Sequence, residues 1–284
     1  MINNTITPSE PPSNRPRPLV LLLLDGWGVS QTRDNNAIRL AKVPNFKDLV
    51  NHYPAAIISG SPKKDSLNYT LIGSGQLKPK KKITLGKILA NHNFKQLRIA
   101  ETEKFALLTN FFDLSDESLN NEDRILVASG EKASQEVVAK LIKTIKSDKY
   151  DFILSSLADI DQVSHAGDFV ATVKAIATVD KLIKKIVKAV LAKNGLLIIS
   201  SAHGYAEEVF DIQTEAINRE NSDNPVPFLI VGEQFAGKTI GLDEAPANDL
   251  SLLEPIGSLI DIAPTILKIL NIETPPEMTG KSLL

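Results

Sequence analysis

An α/β fold, with an open, mainly parallel sheet and helices on both faces, is predicted by three features of this chain. Short apolar runs alternate with longer amphipathic stretches, several of the runs are apolar throughout, and turn residues mark the transitions. The strands read as residues 18–24, 55–59, 96–99, 124–127, 151–157, 195–201 and 226–232. A run that is apolar at every position suits a strand buried on both faces, as a parallel sheet requires.

Helical periodicity fills the intervals at 45–52, 85–90, 102–110, 134–147 and 168–193. The last is the clearest. Val170, Val173, Ile176, Val179, Ile183, Ile186 and Val190 recur at three- and four-residue steps, with lysines opposite. Asn194-Gly195 then provides a left-handed stop. A final helix over 264–270 follows Asp261 and is closed by Pro275-Pro276. The first 17 residues are rich in Pro, Ser and Asn and read as a disordered tail, leaving 18–284 as one domain.

With 284 residues and 43% hydrophobic content, the chain can bury a sizeable core. Its 32 basic and 34 acidic residues give a net charge of −2, which offers no electrostatic reason for a nucleic-acid or anionic-membrane partner. It contains no cysteine, which excludes disulfides and thiolate metal sites and fits a cytoplasmic protein. The apolar run 19–24 is too short to span a bilayer and ends at Asp25.

Ligands of open α/β sheets bind at the carboxyl ends of strands. Asp25 ends the first strand, Asp161 and His165 lie just past the fifth, and His203 follows the sixth. Two carboxylates and two imidazoles at one sheet edge form an oxygen and nitrogen set suited to manganese or zinc. Singly, each has a plainer role, such as a helix cap or a loop residue; four at one edge favour a site. Gly73-Ser74-Gly75 could bind phosphate through backbone amides, although no Gly-Lys-Ser/Thr ending follows. The basic stretch Lys78-Pro79-Lys80-Lys81-Lys82 reads as a solvated turn.

Several ordered blocks carry a family resemblance. They are 21–28 with Asp34-Asn35-Asn36-Ala37-Ile38, then 97–105, Lys149-Tyr150-Asp151-Phe152, Asn224-Pro225-Val226-Pro227-Phe228, Asp261-Ile262-Ala263-Pro264-Thr265 and the closing 277–284. Together they resemble the cofactor-independent phosphoglycerate mutases of the alkaline phosphatase superfamily. The resemblance implies a domain that holds two manganese ions and passes a phosphoryl group through a serine. It also implies a second, inserted domain that grips phosphoglycerate. Here the basic stretch 78–82 stands where that substrate domain would be inserted.

Carried over position by position, the resemblance makes Asp25 and His203 ligands of one ion and Asp161 and His165 ligands of the other. Ala202 stands where that pattern has a third ligand for the first ion, and Asn221 where it has a histidine for the second. Asp65 aligns with the serine nucleophile, or Ser66 does after a one-residue slip, and Lys104 matches a lysine near the transferring phosphoryl group. A methyl group and a carboxamide do not hold two cations as a carboxylate and an imidazole would. The expectation is therefore a non-catalytic binding or regulatory protein with at most one manganese or zinc ion. The alternatives are a reduced, metal-dependent phosphomonoesterase acting on a phosphorylated small molecule, and a subunit completed by a separate clamp chain.

Overall fold

The computed structural model describes residues 15–61, 64–79, 83–210, 214, 216–218, 220–241 and 245–284. In chain order the elements are β1 (Leu19–Leu24), α1 (Ala37–Leu40), α2 (Pro44–His52), β2 (Ala55–Ile58), α3 (Asp65–Ser74), α4 (Leu85–Asn91) and β3 (Gln96–Glu101). There follow α5 (Thr102–Ala106), β4 (Glu122–Val127), α6 (Ala133–Lys146), β5 (Phe152–Leu157), α7 (Asp159–His165), α8 (Phe169–Leu191), β6 (Leu196–Ser200), β7 (Val226–Val231) and α9 (Ile262–Ile269).

The strands form a seven-stranded sheet in the order β2-β7-β6-β1-β5-β3-β4. β7 runs antiparallel to both its neighbours, and the other pairings are parallel. The expected fold class is the one observed. Central β1 shows why its residues had to be apolar throughout. Val20, Leu22 and Leu24 join the core under α2, α6 and α8, whereas Leu19, Leu21 and Leu23 join the core under α3, α4 and α9. Each face of the strand is dry.

Two buried aspartates inside this framework are paired. Asp180, buried on α8, accepts from the backbone N–H of Phe46 (2.7 Å) and from Asn45 Nδ2 (2.6 Å), so it caps the start of α2 from another helix. Asp151 accepts from Arg15 (2.6 Å), Arg17 (2.9 Å) and the Lys95 N–H (2.8 Å). The tail expected to end at residue 17 is thus already tethered at Arg15. Residues 1–14, and the 80–82 part of the basic stretch, lie outside the described residues.

Two expectations change. The helix foreseen over 102–110 is α5 followed by a widened π turn, Leu107–Phe111, whose last carbonyl accepts from Thr70 Oγ1 (3.0 Å). Gly73-Ser74-Gly75 is no phosphate turn but the C-terminal end of α3. A side chain at Gly73 would strike the Phe112 carbonyl, and Gly75 is the left-handed cap at φ 60°.

Candidate metal centre

The parallel strands deliver their carboxyl ends to one edge, and the loops leaving that edge build the centre. Asp25 follows β1, its N–H bonded to the Leu157 carbonyl of β5 (3.2 Å). Gly26 then turns with φ 82°, a conformation that favours glycine, and a Cβ there would meet the Asp161 Cα at 3.1 Å. That absence of a side chain lets the β1 loop lie against α7. His203 leaves β6 on a segment bridged to Gly26 through Gly204.

Six of the sequence-selected residues lie around this edge. Asp25, Asp161, His203 and Lys104 are buried, while Asp65 and His165 are partly open. The Lys104 ammonium is the hub. It lies 2.7 Å from Asp65 Oδ2, 2.8 Å from Asp161 Oδ2 and 3.5 Å from Asp25 Oδ2. A lysine at a helix start is often merely solvated, but this one is only 5% exposed.

On the other side of the same carboxylates, His203 Nε2 faces Asp65 Oδ1 at 3.3 Å and Asp161 Oδ1 at 3.9 Å. His165 Nε2 is 3.3 Å from Asp161 Oδ1, one helical turn away on α7. The resemblance implies one ion held by His203 and Asp25; the contacts that His203 Nε2 makes in this structure are with Asp65 and Asp161. His203 turns towards Asp65 and Asp161 because Asp65 brings its carboxylate there from the first turn of α3. Ser66 is half-buried, and its carbonyl accepts from Thr70 Oγ1 (2.9 Å); of these two neighbours it is Asp65 that enters the cluster.

The altered positions also explain themselves physically. Ala202 is fully buried and packs in the apolar core beneath α3 and α9. Asn221 donates Nδ2 to Asp65 Oδ1 (2.9 Å), so the carboxamide steadies the carboxylate. Two further contributors are Tyr69 and Tyr205. Tyr69 donates to Asp25 Oδ2 (2.7 Å), and the Tyr205 ring lies 4.0 Å from that of His165. Tyr69 is four residues after Asp65, so recognising α3 as a helix would have placed both on one face.

Burial pushes the Asp25 carboxyl up, towards its neutral form, against the pull of Lys104. For Asp65 and Asp161 the upward push of burial is overcome. His203 and Lys104 hold Asp65 well below the carboxylate range, and His165 and Lys104 do so for Asp161. Burial would lower His203, yet Asp65, Asp161 and Asp25 raise it to about 9. The same carboxylates hold Lys104 in its charged form. Two ionised carboxylates therefore face two cations.

A pH dependence follows. His203 binds its proton more tightly in the folded chain, so its stabilisation is complete below its ordinary 6.5 and is lost as pH rises through about 9. Asp65 and Asp161 act oppositely, stabilising above their ordinary 3.8 and losing that contribution on acidification. Thermal unfolding in EDTA should show highest stability between these limits and a decline of roughly 3 kcal/mol between pH 6.5 and 9. A flat profile there would remove the charged His203 from the account. In His203→Phe that alkaline decline should vanish.

The donor set fits one ion. Asp65, Asp161 and His203 each offer a ligand atom, all within 4.8 Å of one another. Asp161 Oδ1 and His203 Nε2 are buried without an aligned hydrogen-bond partner, as is Asp25 Oδ1. Buried polar atoms left so are uncommon, and an ion on Asp161 and His203 would satisfy theirs. A cavity of about 480 Å³, lined by Asp65, Glu103, Lys104, Leu107, Asp161, Gln162 and His165, opens the cluster to solvent.

Fold and site together define an open α/β protein with a candidate metal centre at one sheet edge, and comparison with known proteins agrees. The metalloenzyme superfamily model matches residues 17–274, and the chain belongs to that superfamily. It is 37% identical over 273 residues to the 2,3-bisphosphoglycerate-independent phosphoglycerate mutase of Ehrlichia ruminantium (strain Gardel), covering 92% of this chain and 50% of the relative. The chain thus spans about half the length of that curated relative. Among solved structures, a protein in the alkaline phosphatase superfamily from Vibrio parahaemolyticus superposes with a TM-score of 0.63 at 14% identity, covering 99% of this chain and 74% of that one. Leishmania mexicana phosphoglycerate mutase gives 0.54 at 20% identity, covering 70% and 38%. These two likenesses concern the fold. Among the described residues, no helix is long and apolar enough to cross a membrane.

Proposed function

We propose that this protein is a non-catalytic member of its superfamily, using the phosphatase-type domain for binding or regulation. The observation that carries this reading is the 2.7 Å ion pair between Lys104 and Asp65, at the position aligned with the nucleophile. A carboxylate there is already paired with the lysine that would otherwise meet a phosphoryl group.

A second reading, a phosphomonoesterase with a single-ion site, draws on the unpartnered Asp161 Oδ1 and His203 Nε2. In that reading Asp65, Asp161 and His203 would hold manganese or zinc, which would supply positive charge to a phosphate ester. The two readings are separated by assaying an aryl phosphate and 3-phosphoglycerate with purified protein in millimolar manganese. Turnover at the level of a protein-free blank is expected. Manganese-dependent turnover that His203→Ala abolishes would establish the second reading instead.

A further inference from the structure

The carboxylates of Asp65 and Asp161 are used on both sides, and the two sides differ. Their Oδ2 atoms meet the Lys104 ammonium, which also approaches Asp25 Oδ2, making a cage of three carboxylates around one cation. Their Oδ1 atoms turn instead to His203 Nε2, a fully buried nitrogen with no aligned partner. One half of the cluster is filled by a cation that belongs to the chain. The other half presents two oxygens and one nitrogen, the donors a divalent transition ion prefers.

We propose that the centre is a hybrid of one ammonium and one metal: a single divalent ion on Asp65, Asp161 and His203, with Lys104 as the permanent second cation. The ammonium is tethered and can be neither diluted nor chelated. Its four-carbon stem is held by burial at 5% exposure. Asn221 supports the arrangement from the open side, since its bond to Asp65 Oδ1 fixes the orientation of the bridging carboxylate. Asp65 thereby supplies the carboxylate that Ala202 does not. The inference rests on the same geometry as the non-catalytic reading but not on the absence of turnover.

Zinc or manganese alone is the probe. Wild-type protein, dialysed against micromolar zinc and analysed for metal, should retain one ion per chain. Asp65→Asn should weaken zinc at least tenfold in a chelator-competition titration. Lys104→Ala, which vacates the cage, should take a second equivalent. Two ions on the wild type, none at saturating zinc, or unweakened binding in Asp65→Asn would each overturn the proposal, as would a folded Lys104→Ala that stops at one. Should Lys104→Ala fail to fold, acetylation of Lys104 in the wild type decides. The amine should stay protected with one zinc bound, and exposure on zinc binding would mean that the ion had taken its place. Turnover by a one-zinc protein would end the non-catalytic reading and leave the hybrid centre standing.

Discussion

Replacing Arg98 by methionine is expected to destabilise the protein by about 3–5 kcal/mol, the usual cost of breaking a buried ion pair by removing one partner. The guanidinium lies on β3, wholly inside the protein. Its Nη2 contacts Asp113 Oδ2 at 3.1 Å, Gln96 Oε1 at 3.0 Å and Glu122 Oε2 at 3.7 Å. Phe112 and Phe152 pack around it, with ring centroids 5.4 and 5.5 Å from its central carbon. Burial pushes the Asp113 carboxyl up and Arg98 pulls it down, so without Arg98 the acid faces desolvation with little relief. There is no room for rearrangement, because a Cβ at Gly86 would already sit 2.0 Å from Asp113 Oδ1. Thermal unfolding followed by circular dichroism should show a midpoint lower by roughly 6–15 °C. Asp113→Asn in the same chain should recover part of that loss. A midpoint unchanged in Arg98→Met would mean that packing alone secures this corner.

The contrast between β1 and α3 shows which parts of the fold and site the sequence discloses. Strands announced themselves because a dry sheet demands apolar residues at nearly every position, and Leu19 to Leu24 meet that demand on both faces. Helix α8 was equally plain, since one face is buried and the other carries lysines. Helix α3 gave no such pattern. Asn68 through Ser74 are all buried, polar and apolar alike, so no amphipathic period exists to be read. Its glycines suggested a turn, whereas Gly73 serves close packing and Gly75 ends the helix. The metal-edge residues Asp25, Asp161, His165 and His203 could be nominated from strand ends alone. What sequence order could not convey is which oxygen faces which cation. Lys104 and Asp65 are 39 positions apart, and the docking of α3 against the π turn that continues α5 makes them partners at 2.7 Å.

Glu207→Gln is expected to cost about 2–4 kcal/mol, because donors around its buried carboxylate would lose their acceptor. Oε2 of Glu207 accepts from the Gly28 N–H (3.0 Å) and the Tyr205 N–H (2.9 Å), while Oε1 accepts from Ser222 Oγ and Asn224 Nδ2 (3.2 Å). Burial raises this carboxyl, and the bonds from Ser222 and Asn224 draw it back. An amide has one oxygen and an NH2, so whichever way it turns, its NH2 meets either the two backbone N–H groups or Asn224 Nδ2. The glycines around it show how closely the carboxylate is enclosed, since a Cβ at Gly28 would lie 2.1 Å from its carboxyl carbon. The three segments it ties together also carry the metal edge. Gly28 follows Asp25 in the β1 loop, Tyr205 follows His203 and packs at a tilt against His165, and Ser222 follows Asn221, the partner of Asp65. Scanning calorimetry in EDTA should therefore register the loss of stability. Zinc titration of the same variant should register weaker binding, although Glu207 touches none of the proposed ligands. If stability drops and zinc affinity stays, the clamp holds the fold without orienting the centre.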